Sequence, residues 1–390
     1  MTISSRWSLT VAVVALTAGL AGPAFAAATP EQVTAALTKL LAMDKGATFN
    51  LGAPTKSNDG VVYNNVSIKA GDGSETKIDV LTFGNPTVDG DTLSADSIVA
   101  ENVTGTDKGD SVSIASVELT SPVFTGKDTG NRVDAVSAEG MSFSQGGKAP
   151  VVIDSAGLDL SDYANDVPHA IDVSVEGIAV DPAAVDSDGQ FAAQLKAMGY
   201  DKLTFGFYGS GSLDETSGDL VVNEITVDGT DLGTVTLTGT FGGLTSDVLN
   251  KFKQPTPPQE ALGNITLKQA SVYYGDASLA GRIIAQQAKQ MGQEPAAFVG
   301  QITGALPLLL SAIGNQPFQE KLSQGLTTFL KDPKNLTVTV KPDAPIALLN
   351  IISTSQTAPQ TLPDVLKADV IANQPETGDD GEDSDGTDVN

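Results

Sequence analysis

The chain has 390 residues, with 48 acidic and 22 basic side chains, a single histidine and no cysteine, and its formal net charge is −26. Without cysteine the chain has no disulfides, thiolate nucleophiles or cysteine-type metal sites, and one histidine excludes a two-histidine metal motif. The negative charge disfavours nucleic acid and anionic membrane surfaces as partners. These counts predict no metal, no cofactor and no nucleic-acid partner, whereas an apolar fraction of 40% predicts a folded core.

The first 26 residues have the pattern of a secretory signal peptide. Arg6 supplies a positive charge, residues 9–20 are mostly apolar and uncharged, and Ala24-Phe25-Ala26 is a cleavage site of the A-x-A type. We expect cleavage after Ala26 and export to the periplasm, with the extracellular space as the alternative. After cleavage we expect no transmembrane segment, because the most apolar later stretch, residues 305–313, is short and contains Pro307.

The mature chain is expected to begin with a helix. Thr29-Pro30-Glu31 is a helix start signal, and Val33, Leu37 and Leu40 form an apolar stripe behind it. This helix is expected to cover one end of a sheet core.

A pattern of about nineteen residues then repeats along the chain. Its six copies begin at residues 78, 95, 114, 133, 153 and 171, and aspartate stands at the second position in five of them. The aspartates alternate with apolar residues, so we expect them on a solvated face rather than in a calcium site.

Within each repeat the apolar residues alternate and then skip one position, as in Val112, Ile114, Val117 and Leu119. Alternation indicates a strand with one buried face, and the skip indicates a central bulge. Short turn clusters separate the units, which favours antiparallel neighbours. The predicted fold is α+β and mainly β, with a long curved antiparallel sheet of bulged strands. The alternative is a right-handed parallel β-helix, in which each repeat is one coil.

The pattern changes after residue 180. Pro255-Thr256-Pro257-Pro258 is the best linker, and three segments with helical apolar stripes follow it, starting near Asp276, Glu294 and Asn315. We therefore divide the chain into a signal peptide (1–26), a helix and repetitive β-sheet region (27–254), a helical cluster with closing strands (255–375) and a disordered acidic tail (376–390).

The most apolar of these helical stripes is the candidate wall of a ligand groove. Its residues recur at spacings of one to four, and they are Phe298, Ile302, Leu306, Leu309, Leu310 and Ile313.

Catalytic motifs are not evident, and we predict no catalytic residues. His169 lies in Val167-Pro168-His169-Ala170, which we expect to be an exposed turn, and no G-x-S-x-G elbow accompanies it. Tyr273-Tyr274-Gly275-Asp276 is the one tight cluster of aromatic and acidic residues, and it is expected to be a strand end followed by a helix cap. We expect a protein that is not an enzyme, with a carboxylate-based hydrolase as an alternative.

The repeated bulged alternation resembles the long twisted sheets of AsmA-like and YdgA-like (DUF945) envelope proteins. The strand at residues 262–270, the following Tyr274-Gly275-Asp276-Ala277-Ser278-Leu279 and Lys341-Pro342-Asp343-Ala344-Pro345-Ile346 add to the resemblance. AsmA-like proteins imply a groove that shields lipid acyl chains. The expected function is thus a periplasmic envelope protein that binds a lipid or other apolar ligand, and the alternative is a structural or adhesive protein whose partners are envelope proteins.

Overall fold

The computed structural model describes residues 27–41, 47–58, 60–125, 130–146, 149–164, 167–185, 189–252 and 259–374. The predicted signal peptide, the linker at 255–258 and the predicted acidic tail lie outside the described residues.

Most of the described chain is β-strand. The strands are β1 (Thr48–Asn50), β2 (Thr55–Ser57), β3 (Gly60–Lys69), β4 (Glu75–Gly84), β5 (Thr87–Asp89), β6 (Thr92–Ser94), β7 (Ser97–Asp107), β8 (Asp110–Thr120), β9 (Val123–Phe124), β10 (Ala135–Ser144), β11 (Val151–Ala164), β12 (Val167–Val180), β13 (Leu203–Asp214), β14 (Asp219–Gly229), β15 (Gly233–Gly242), β16 (Thr266–Asp276), β17 (Asn335–Val340), β18 (Ile346–Ala347) and β19 (Asp369–Ala372).

One helix precedes the sheet, two lie between β12 and β13, and the others lie after β15. The helices are α1 (Pro30–Leu41), α2 (Pro182–Val185), α3 (Gln190–Ala197), α4 (Ser246–Phe252), α5 (Gln259–Asn264), α6 (Leu279–Gln290), α7 (Pro295–Leu310), α8 (Gln316–Lys331), α9 (Leu348–Thr357) and α10 (Leu362–Val365).

Sixteen of these strands form one antiparallel sheet in the order β1-β3-β4-β7-β8-β10-β11-β12-β13-β14-β15-β16-β17-β19, with β2 beside β3 and β18 beside β16. The predicted antiparallel meander is confirmed, and the alternative of a parallel β-helix is wrong because successive strands of this sheet pair antiparallel. The sheet is not closed into a barrel. Strand β16 pairs with β15 along ten positions, so the sheet continues across the boundary that we predicted at residue 255.

The skip in the apolar pattern corresponds to a backbone break in the middle of the strands. Alternate strands carry a left-handed residue there, namely Asn65, Asn102, Gly140 and Gly177, with φ between 53° and 65°. Asparagine and glycine are the residues that adopt this conformation at least cost. From β3 to β12 the pairing register is the same on both sides of the break. Register shifts appear only from the β12–β13 pair onward.

Two apolar rows run from β3 to β19 on one face of the sheet, because directly paired residues project to the same side. The first row consists of Tyr63, Leu81, Ala100, Val117, Ala138, Ala156, Val175, Phe207, Val227, Val235, Tyr274, Leu336 and Ala372. The second row lies two residues away and consists of Val61, Phe83, Ile98, Leu119, Val136, Leu158, Val173, Gly209, Ile225, Leu237, Val272, Val338 and Val370. We call this side the apolar face.

Helix α1 and the small sheet β5-β6-β9 cover the first section of the apolar face. Val33 of α1 and Leu93 of β6 are fully buried, and they belong to one core cluster with Phe83 and Ile98 of the second row. The Tyr63 hydroxyl lies 2.8 Å from the Thr34 hydroxyl, and its burial raises the pKa of Tyr63. The start signal of α1 is a capping box, in which the Thr29 N–H donates to the side chain of Gln32. The expected role of this helix is confirmed.

Helix α8 covers the opposite end of the apolar face. The ring of Phe329 packs edge-to-face on Tyr274, with ring centroids 5.8 Å apart. At Gly325 an added Cβ would lie only 2.9 Å from Val370, so the helix backbone approaches the sheet closely. The predicted start of α8 is confirmed, because the Asn315 side chain accepts a hydrogen bond from the Phe318 N–H.

Candidate ligand-binding surface

Between these two covers the apolar face is open. Six large apolar side chains on β12, β14, β15 and β16 are 36–45% exposed, namely Ile171, Ile225, Val227, Val235, Leu237 and Val272. We call these six residues the open patch. Such exposure is unusual for a contiguous group of aliphatic side chains, and contiguous apolar surface commonly marks a binding site.

The strand register assembles five of the six patch residues, whereas Ile171 lies on β12 and pairs with Gly211 of β13. Ile225 pairs with Leu237, and Leu237 pairs with Val272 on the next strand. Val227 pairs with Val235 one step along the same two strands. Neighbouring strands in a sheet lie about 4.8 Å apart, so these side chains form continuous ridges.

Phenylalanine rings lie over glycines within the apolar face. An added Cβ at Gly209 would lie 3.6 Å from the ring of Phe207, and one at Gly239 would lie 3.3 Å from the ring of Phe241. A ring above a strand glycine replaces the missing side-chain packing. This section of the sheet is thereby stabilised without a covering layer.

The other face of the same strands is polar. The hydroxyls of Thr226 and Thr236 lie 2.9 Å apart, and Thr226 also donates to Glu224. Burial, followed by the nearby carboxylate of Glu176, raises the pKa of Tyr208 on this face. The central strands are therefore amphipathic, with hydroxyl and carboxylate groups opposite the open patch.

Packed residues bound the patch at one end of its strands. Leu195 of α3, Tyr200 and Leu203 are buried in a small cluster with Phe205 and Leu232. The guanidinium of Arg282 stacks 4.3 Å from the centroid of the Tyr200 ring and donates to the Met198 carbonyl, which ties α6 to this cluster. The patch thus has a fixed border here and beside α8.

The predicted groove residues lie elsewhere, on α7 and in the turn that follows it. Leu306 is buried, Leu309 is exposed, and the other four, Phe298, Ile302, Leu310 and Ile313, are partly buried. Helix α7 packs mainly on α6 and α8, so the structure does not bring this stripe onto the open patch. The apolar residues of 225–227 and 235–237 alternate with polar ones, which is typical of strands, but alternation cannot distinguish a buried apolar face from an open one.

The segment Pro295–Ile313, which is α7 with its 3₁₀ extension, is long and apolar enough to cross a membrane by length and composition. Only 11% of its most apolar window is buried. Core helices of globular proteins can pass the same test, but they are mostly buried.

A depression of about 440 Å³ lies between α7 and α8. It is lined by Pro307 and by five residues with polar side chains, namely Gln316, Gln319, Glu320, Ser323 and Gln324.

The remaining candidates for chemistry have structural surroundings. His169 is not in an exposed turn as expected; it is buried on β12, where its Nε2 atom lies 3.1 Å from Glu215 Oε1. Burial on a strand overrides the turn signal of the preceding proline. Asp276 accepts hydrogen bonds from the Tyr274 hydroxyl and from the Ala280 N–H in the first turn of α6. The N-cap residue of α6 is Ser278, so Asp276 lies two residues before the cap position. Burial, followed by the hydrogen bond to Asp276, raises the pKa of Tyr274.

Within the described ranges, no group of three or more histidine, aspartate or glutamate side chains is placed to hold a metal ion. The repeated aspartates occupy different positions in the sheet. Asp79 and Asp154 lie at the backbone break, whereas Asp134 lies just before β10 and binds Arg132.

Comparison with known proteins returns one family model. A family described as "Uncharacterized protein" matches residues 226–373, which run from β14 through the helical cluster to the end of β19. This match covers less than half of the chain. No curated protein matches the sequence.

Proposed function

We propose that this protein is a non-enzymatic periplasmic envelope protein that holds a lipid or another ligand with an apolar chain against the open patch. The observation that carries the proposal is the exposure of six aliphatic side chains on one face of the sheet, five of which are in register on β14, β15 and β16. The signal-peptide pattern of residues 1–26 supports the compartment.

The chemistry of the patch favours a hydrocarbon chain. The patch side chains have no polar atoms, and the backbone polar groups of these strands are paired in the sheet. A hydrocarbon chain makes no hydrogen bonds and gains free energy from each apolar area that it covers. A peptide strand would need free backbone partners, which the interior strands β14 and β15 do not offer.

A second copy of the chain is a poorer occupant. The net charge of −26 makes close approach of two chains repulsive, particularly at low salt. A neutral or zwitterionic lipid avoids this repulsion.

The test is lipid analysis of the gently purified full chain by native mass spectrometry and extraction. The wild-type protein should carry lipid in stoichiometric amounts. A variant with Ile225, Val227, Val235 and Leu237 all replaced by threonine should lose it, because threonine preserves strand propensity while adding hydroxyls to the patch. The matched control is Val152→Thr, since Val152 is 39% exposed and lies on the other face of β11.

Lipid-free wild-type protein, or equal lipid in the four-threonine variant, would refute the proposal. If cross-linking through the patch instead captures a protein reproducibly, the function is protein contact and not ligand binding.

A further inference from the structure

Helix α7 combines strong apolarity with exposure. Pro295–Ile313 spans nineteen residues without any charged side chain. Val299 and Leu306 are its buried residues, and they lie on the side that packs against α6 and α8. On the outer side, Leu308 and Leu309 are 78% and 65% exposed, which exceeds every other large apolar side chain in the described chain.

The outer side of α7 also includes two glycines. A Cβ added at Gly300 or Gly304 would meet nothing within 4 Å, so both glycines face open space. Gln301 and Pro307 are exposed beside them. This face offers apolar and small side chains with one amide and no ion-pairing group.

Charge is distributed unevenly between this cluster and the rest of the chain. From Leu279 to Lys331, the ends of α6 and α8, there are four basic and two acidic side chains, a net charge of +2. The basic residues are Arg282, Lys289, Lys321 and Lys331, and the acidic ones are Glu294 and Glu320. The remainder of the chain therefore carries −28. The overall charge disfavours an anionic surface, but the segment that contains α7 is the part that such a surface attracts.

We propose that α7 docks the protein on a lipid bilayer, lying in the interface with Leu308 and Leu309 inserted among the acyl chains. A helix that lies in the interface places its apolar side toward the lipid and its packed side toward the protein, and nearby basic residues strengthen binding to anionic lipids. Lysines at helix ends extend their charged groups to the headgroups; Lys289 and Lys331 are exposed at the C-terminal ends of α6 and α8.

Spanning the bilayer would require α7 to leave its neighbours. Val299 and Leu306 would lose their packing, and Pro307 inside the helix lacks the N–H of an internal hydrogen bond. An interfacial position keeps these contacts. Docking also rests on residues separate from the open patch, so it does not depend on the proposed ligand site.

The test is flotation of the full chain with vesicles of phosphatidylethanolamine and phosphatidylglycerol at low and moderate salt. Wild-type protein should float, and added salt should weaken its binding. Leu308→Ser with Leu309→Ser should lower the partition coefficient at least tenfold. The matched control is Leu349→Ser with Ile352→Ser, since these residues are exposed on α9, outside the basic segment; the control should float like wild type.

Insertion of α7 into the bilayer is measured separately by fluorescence. The chain has one tryptophan, Trp7, so Leu308→Trp in a Trp7→Phe background provides a single reporter whose emission should shift to the blue on vesicles. The four-threonine patch variant should float normally, which distinguishes failure of the ligand proposal from failure of this one. Wild-type protein that stays with the soluble fraction, serine variants that float normally, or an unshifted emission of the L308W reporter would each overturn membrane docking.

Discussion

Phe329 provides a strong test of how the helical cluster is attached to the sheet. Its side chain is buried between α8 and the apolar face and packs edge-to-face on Tyr274. Replacing it with alanine removes a large ring from a site that the rigid sheet cannot fill by collapse. Substitutions of this kind cost about 3–5 kcal/mol, of which the aromatic pair contributes about 0.5–1.5 kcal/mol.

A loss of this size is a large share of a typical folding free energy of about 5–15 kcal/mol. We therefore expect Phe329→Ala to lower the free energy of unfolding by about 3–5 kcal/mol in urea titrations. Hydrogen exchange should accelerate in α8, β17 and β19, and an apolar dye should bind more strongly because more of the apolar face becomes exposed.

The matched control is Phe318→Ala in the first turn of the same helix, where the ring is only partly buried. Phe318→Ala should lower the free energy of unfolding by distinctly less than Phe329→Ala, since less buried apolar area is lost. A cost below about 1 kcal/mol for Phe329→Ala, or unchanged exchange in β17 and β19, would refute the inference that α8 covers the end of the apolar face.

Two further substitutions test the backbone break and an acidic turn. Gly177→Ala should lower the free energy of unfolding by more than the approximately 1 kcal/mol of a left-handed alanine, because the added Cβ would lie 2.0 Å from the Asp154 carboxylate. The control is Gly146→Ala, which has open space at a similar φ and should show the backbone cost alone. Equal melting temperatures of the two variants would contradict the steric argument. Hydrogen bonds from Ser217 lower the pKa of Asp214 below its ordinary value of 3.8. Asp214→Asn should therefore lower the melting temperature at neutral pH. The difference in melting temperature between the variant and the wild type should disappear as the pH falls from above 3.8 through the lowered pKa. A pH-independent difference would show that the hydrogen bonds do not act through the ionised carboxylate.

The local structure of this protein was largely readable in the residues. Alternating apolar residues with a single skip predicted strands with a central bulge. From β3 to β12 the irregularity is a left-handed residue without a register shift, at Asn65, Asn102, Gly140 and Gly177. Turn clusters between the repeats predicted antiparallel neighbours. Helix starts at Thr29 and Asn315 followed from capping residues, whose hydrogen bonds are local in sequence.

The candidate sites were less accessible to sequence reasoning. The helical stripe that contains Leu306 and Leu309 was identified, but its spacing did not show that Leu306 packs inward while Leu309 remains exposed. His169 was expected in a turn because a proline precedes it, yet pairing with neighbouring strands places it inside the sheet.

The sequence by itself determined the alternation, an irregularity in the middle of the repeated strands, the helix starts at Thr29 and Asn315 and the absence of cysteine chemistry, because these depend on residue type and near neighbours. Only the tertiary structure decided which part of the apolar face is covered. Val33 and Phe329 come from helices far apart in sequence and cover its two ends, whereas Ile225 and Leu237 between them remain open. Covering requires contact between distant segments, and an apolar side chain has the same local pattern whether such a contact forms or not.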